Sequence, residues 1–121
     1  MSKRILVVED QEDNRQILRD LLGNAGYELI EAADGEQALA AYAKHRPDLI
    51  LMDIQLPVMD GYETTRRIRN DPESKGIPII AVTSYALAGD EAKALAAGCD
   101  GYITKPYSPR VLLAKVREYL S

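Results

Sequence analysis

One cysteine in 121 residues, Cys99, leaves no internal disulfide to form, and nothing in that usage argues for export. No apolar run is long enough to span a bilayer. The short one after Met1-Ser2-Lys3-Arg4 stops at Glu9-Asp10, too early for the core of a signal peptide. Basic residues are not in excess: 15 Lys and Arg face 19 Asp and Glu, and a net charge of −4 argues against a nucleic-acid surface. Repeats, low-complexity tracts and linkers are also missing. These absences predict one cytoplasmic domain over residues 1–121, with neither membrane nor nucleic acid among its partners. Apolar residues make up 46% of the chain, enough for one interior without disulfides or a structural metal.

What is present alternates. Ile5-Leu6-Val7-Val8 reads as a buried parallel strand that stops at two acids. A helix follows with Ile17, Leu18, Leu21, Leu22 and Ala25 on one face and Gly26 as its stop. Tyr27 to Glu31 is the second strand, and Asp34 caps a helix carrying Ala38, Leu39 and Tyr42 that closes before Pro47. Leu49 to Met52 is the third strand, ending on Asp53, and a short helix runs through Ile68. Ile77 to Val82 is the fourth strand, running into Thr83; a helix over Asp90 to Ala97 ends at Gly98. Gly101 to Thr104 is the fifth strand, ending on Lys105. The last helix opens on Ser108 and Pro109 and buries Leu112, Leu113, Val116 and Leu120. Strict strand–helix alternation predicts an α/β fold, a doubly wound parallel sheet of five strands and five helices. The flavodoxin-like order 2-1-3-4-5 is adopted by likeness to known sheets of this kind.

The polar residues collect at the carboxyl ends of those strands: Glu9-Asp10, Asp53, Thr83 and Lys105. In an open parallel sheet these ends share the edge where ligands bind. Crowded carboxylates repel, so such a site raises a pKa or binds a cation. Oxygens from Asp10, Asp53 and a nearby carbonyl suit Mg²⁺, which keeps waters and shares its octahedron with phosphate oxygens. A carboxylate so placed can attack phosphorus, while the Lys105 ammonium and the Thr83 hydroxyl stabilise charge on the equatorial oxygens. Singly, each residue has an ordinary explanation, as a solvated loop acid, a surface lysine or a strand-end hydroxyl. Their shared polarity along the sheet is what favours a site. Glu12 and Asp13 need no such role, since a helix start favours acids.

Val-Val-Glu9-Asp10, Leu-Met-Asp53-Ile-Gln-Leu-Pro57-Val-Met-Asp60-Gly61, Ala-Val-Thr83-Ser84 and Gly101-Tyr102-Ile-Thr-Lys105-Pro106 together resemble the receiver domains of two-component response regulators over the whole length. The Asp53-Ile-Gln-Leu-Pro57 run, the Gly89-Asp90-Glu91 segment and the lack of an output domain make the chain most similar to the single-domain type. The resemblance implies that Asp53 is the phosphoacceptor. Asp10 and Asp53 would bind Mg²⁺ through side chains, Glu9 through metal-bound water and Gln55 through its carbonyl. Lys105 would contact the phosphoryl group, its bond to Pro106 being cis. Thr83 and Tyr102 would form a switch pair, and Gln55 and Tyr85 would flank the path of the hydrolytic water, where a bulky Tyr85 lengthens the phosphorylated lifetime. A histidine kinase or histidine phosphotransfer protein would be the donor. The fourth helix, with Leu87 and Leu95 as its main anchors and weakened by Gly89, would open the target-binding face that runs to the fifth.

An alternative is a small Mg²⁺-dependent phosphohydrolase with an aspartyl-phosphate intermediate. Such enzymes commonly pair acids as Asp-x-Asp, whereas Gln55 stands at that spacing from Asp53. A flavin-binding relative is disfavoured because the acidic loops would repel a phosphate without a metal. His45 has no second ligand nearby, Cys99 fills a small space, and Arg66-Arg67-Arg69 reads as a solvated helix face. The Asp10 to Asn14 stretch lacks the glycine and terminal glutamate of a calcium loop.

Overall fold

The central strands form where the chain is apolar on both faces. A computed structural model describes residues 2–84 and 89–120, without the side chain of Asp90. The elements are β1 (Arg4–Val8), α1 (Glu12–Asn24), β2 (Glu28–Ala32), α2 (Gly35–His45), β3 (Leu49–Asp53), α3 (Gly61–Arg69), a 3-10 turn at Pro72–Gly76, β4 (Ile79–Thr83), α4 (Asp90–Ala97), β5 (Gly101–Thr104) and α5 (Pro109–Leu120). All pairs are parallel, in the order β2-β1-β3-β4-β5. Every residue of β3 and β4 is buried, as a strand covered on both faces requires.

Alternate residues of each strand enter opposite cores. Ile5, Val7, Leu49, Leu51 and Ile80 pack with Leu18 and Leu22 of α1 and Leu112 and Val116 of α5. Leu6, Val8, Ile50, Met52 and Ile79 pack on the other face with Ala38, Tyr42, Ile68 and Ala94 of α2, α3 and α4. The caps follow from the sequence. Asp34 and Asp60 accept from the amides of Gln37 and Glu63, and the Ser108 hydroxyl accepts from the amide of Val111. Among the described residues, no helix is long and apolar enough to cross a membrane.

Several expectations change. Ile17 is 58% exposed, because the buried line of α1 runs through Leu18 and Leu22 and leaves Ile17 beside it. Leu95 is exposed too; α4 seats itself through Ala94 and Ala97, whose small side chains let the helix approach closely. Gly89 is the N-cap of α4 at φ +95°, not an interior residue, so it does not weaken that helix. Leu87 and Tyr85 lie outside the described residues. β4 starts at Ile79, after Pro78, whose carbonyl accepts from the Ile50 amide.

Arg69 is not part of a solvated face. Its guanidinium reaches the carbonyls of Gly98, Ser74 and Ile77 and the Asp100 carboxylate, and so ties α3 to the ends of α4 and the 3-10 turn. Arg66 and Arg67 pair with Glu63 along the exposed helix. Cys99 is buried against Thr65 at 3.8 Å, and burial pushes its thiol up to about 11. At pH 8 that leaves about a hundredfold less thiolate than an ordinary cysteine carries. Ellman's reagent is therefore expected to react with Cys99 only as the protein unfolds; labelling of the native protein as fast as free cysteine would contradict this packing.

Candidate functional site

Register sets the site. Val8 pairs with Met52 and Asp53 with Val82, so Glu9, one residue past β1, stands level with the last residue of β3. On the other flank Thr83 pairs with Thr104, and the Lys105 amide donates to the Thr83 carbonyl at 2.7 Å. Residues far apart in sequence thus share one carboxyl edge.

Carboxylate oxygens of Glu9, Asp10 and Asp53 lie within 4.8 Å of one another. Glu9 and Asp53 are buried, at 3% and 4% exposure. Two carboxylates so enclosed need compensation, and the Lys105 ammonium provides part of it, donating to Glu9 Oε1 at 2.9 Å and Asp53 Oδ2 at 3.3 Å. Burial alone would lower the lysine's pKa, but the bond to Glu9 and the charges of Asp53 and Glu9 outweigh it and hold the pKa above the ordinary value. The Gln11 amide donates to Glu9 Oε2 at 3.1 Å, and the Gln55 amide to Asp53 Oδ1 at 2.9 Å. Thr83 is 2% exposed, at the end of β4. Tyr102 on β5 is half-buried against the core that holds Met52 and Ala81. The Lys105–Pro106 bond is cis.

The loop after Asp53 is tightly drawn. The Gly61 amide donates to the Ile54 carbonyl at 2.9 Å, pressing the start of α3 onto the end of β3. Val58 sits at φ +67°, a conformation β-branched residues seldom take, and the Met59 amide donates to the Pro57 carbonyl at 2.7 Å across it. Asp60 belongs to the same motif but serves as the cap of α3. His45 lies in the last turn of α2, its carbonyl accepting from Arg4.

Two neighbours of the site went unnoticed in the sequence. Asn14 approaches Glu9 Oε1 at 3.5 Å from α1. Tyr107 shares cavity walls with Glu9, Asp53 and Lys105, and burial raises its phenol pKa. Its place two residues past Lys105 was the available signal.

Doubly wound sheets hold their ligands at this edge, and acids gathered beside a lysine there suit a receiver, a signalling switch. The chain belongs to the response regulator receiver domain family, whose model matches residues 5–117. It is 45% identical over 120 residues to the polar-differentiation response regulator DivK of Brucella anthropi, covering 99% of this chain and 98% of that one. The same regulator from Brucella melitensis is 44% identical at the same coverage. These relatives are of the single-domain type that the Asp53-Ile-Gln-Leu-Pro57 run suggested. Among solved structures, the Vibrio cholerae chemotaxis protein CheY4 superposes with a TM-score of 0.94 at 34% identity, covering 99% of this chain and 100% of that one. The receiver domain of the Pseudomonas aeruginosa sensor histidine kinase PA1611, which carries a magnesium ion coordinated in its active site cleft, has a TM-score of 0.91 at 38% identity and covers 99% and 98%. The phosphohydrolase alternative is not favoured by these likenesses.

Proposed function

We propose that this receiver takes a phosphoryl group onto Asp53 from a histidine kinase or histidine phosphotransfer protein, and that the modified domain acts in the cytoplasm by binding a protein target or passing the group on. The observation that carries this is the meeting of Glu9, Asp10 and Asp53 within 4.8 Å of one another, with the Lys105 ammonium bonded to Glu9 and Asp53. In the reaction an Asp53 carboxylate oxygen attacks phosphorus, the phosphorus–nitrogen bond of the donor phosphohistidine breaks, and the imidazole leaves with that electron pair.

The donor set is all hard oxygen, two of its carboxylates are buried, and one ammonium cannot neutralise three of them, so the residues fit Mg²⁺. Asp10, Asp53 and the Gln55 carbonyl would hold the ion, with Glu9 acting through its water. Once bound, it supplies positive charge to the phosphoryl oxygens. Lys105 lies where it can stabilise the same oxygens, and the Thr83 hydroxyl is assigned to accompany the phosphoryl group, with Tyr102 as the ring that follows. Gln55 and Tyr85 are assigned to the path of the hydrolytic water. The face from α4 to α5, where Leu95 and Val111 are 54% and 53% exposed, is assigned to the target.

Incubation with Mg²⁺ and acetyl phosphate tests the reading. Intact mass is expected to show one added phosphoryl group that is lost in Asp53→Asn and when EDTA removes the metal. An equal gain in the Asp53→Asn protein would refute it.

A further inference from the structure

A groove of about 580 Å³ opens beside the site, walled by Asn14, Ile17, Leu21, Lys105, Tyr107 and Pro109 among others. Behind the carboxylates lies a void of only about 10 Å³, against Glu9, Asp53, Leu18 and Leu51, with room for one water at most. Lys105 and Tyr107 are the two residues that line both. They therefore form the partition between the open groove and the buried acids.

Lysine is a point charge on a flexible stem. The Lys105 ammonium can lie inward on Glu9 and Asp53, where burial opposes its charge, or turn outward and hydrate in the groove. Its side chain is only 21% exposed, and it lies inward. The Tyr107 ring, packed against the core that contains Val7, Leu18 and Leu51, stands with the Lys105 side chain at the boundary between the groove and the void. No acid lines the groove among the described residues, so no ion pair holds the ammonium from that side.

From this geometry we infer that Tyr107 is a positioning residue for phosphoryl transfer: its ring confines the Lys105 side chain so that the ammonium stays aimed at the acceptor carboxylate. The inference rests on the assignment of Asp53 as acceptor and of Lys105 as the group that stabilises transferred charge. The ring does the work, so phenylalanine should serve nearly as well as tyrosine.

The test is a double-mutant cycle on the Mg²⁺-dependent rate of phosphorylation by acetyl phosphate, read by intact mass below the melting temperature of each variant. Tyr107→Ala is expected to slow the wild-type rate about five- to tenfold and Tyr107→Phe by less than about twofold, whereas adding Tyr107→Ala to Lys105→Met should change nothing further. A loss of shape alone would multiply through both backgrounds. If Tyr107→Ala is unfolded at the assay temperature, Tyr107→Leu, with no ring, takes its place with the same expectation. An unchanged rate in the single variant, or an equal fold loss with and without Lys105, overturns the inference while leaving the acceptor assignment intact. A wild-type protein that takes up no phosphoryl group overturns the acceptor assignment, and this inference with it.

Discussion

Replacing Gly61 with alanine is expected to destabilise the protein by about 3 kcal/mol, a fall of roughly 10 °C in melting temperature for a domain of this size. A Cβ at this position would stand 2.7 Å from Ile54 Cα and closer still to the Asp53 carbonyl oxygen. Both are backbone atoms at the end of a central strand, so neither can swing aside as a side chain would. The first turn of α3 must therefore lift, and the Gly61 amide then loses its 2.9 Å bond to the Ile54 carbonyl. Because Asp53, the acceptor proposed above, is the residue being pushed, phosphorylation should suffer beyond the loss of stability. Gly23, with nothing within 4 Å of its Cβ position, is the control. Alanine there, in a helix, should be neutral or stabilising by up to about 1 kcal/mol. Thermal unfolding followed by circular dichroism checks both, and a Gly61→Ala protein that melts with the wild type would show that the helix start yields without cost.

Lys105→Met should separate metal binding from chemistry. Methionine keeps most of the stem's length and removes the charge that bonds Glu9 Oε1 and Asp53 Oδ2. On the reading proposed above, that ammonium stabilises charge that develops on the phosphoryl oxygens, and losing one such donor costs about a hundredfold in rate. For a divalent ion the sign is opposite. The ammonium shares two carboxylates with the metal site, so its removal frees them and leaves their repulsion for the ion to relieve. Mg²⁺ should thus bind the variant at least as tightly as the wild type and raise its melting temperature by more. Titration calorimetry and acetyl phosphate kinetics give the two readings. A variant that lost affinity and rate in parallel would mean that Lys105 organises the acids instead of acting on phosphorus.

The elements that were legible in the sequence are those with a one-dimensional signature. Leu49 to Met52 is a short, continuous apolar run of the kind a strand buried on both sides needs, and the acid that ends it marks the edge. Asp34, Asp60 and Ser108 announce helix starts because a side-chain oxygen beside free amides is a local matter. Parallel alternation then aligns all carboxyl ends, so Glu9, Asp10, Asp53, Thr83 and Lys105 could be placed on one edge before any distance was known. Helix faces are less legible. Ile17 and Leu95 are large and apolar yet exposed, since which side of a helix is covered depends on the neighbour and not on the residue's own hydropathy.

The role of Arg69 was hidden for a related reason. Its partners, the carbonyls of Gly98, Ser74 and Ile77 and the Asp100 carboxylate, belong to two other segments, and a backbone carbonyl has no sequence signature. Tyr107 was hidden because a wall between two cavities exists only once α1 and α5 have packed on the same face of the sheet.

The amino-acid sequence by itself determined the strand–helix alternation, the caps and the chemical inventory of the edge, because periodicity, turn chemistry and charge are properties of neighbouring residues. Tertiary structure alone decided that the ammonium lies between Glu9 and Asp53, that the first turn of α3 leaves no room for a Cβ, and that Val58 takes a left-handed turn. Those depend on ångström-scale separations between strands, which close packing sets and no local pattern encodes.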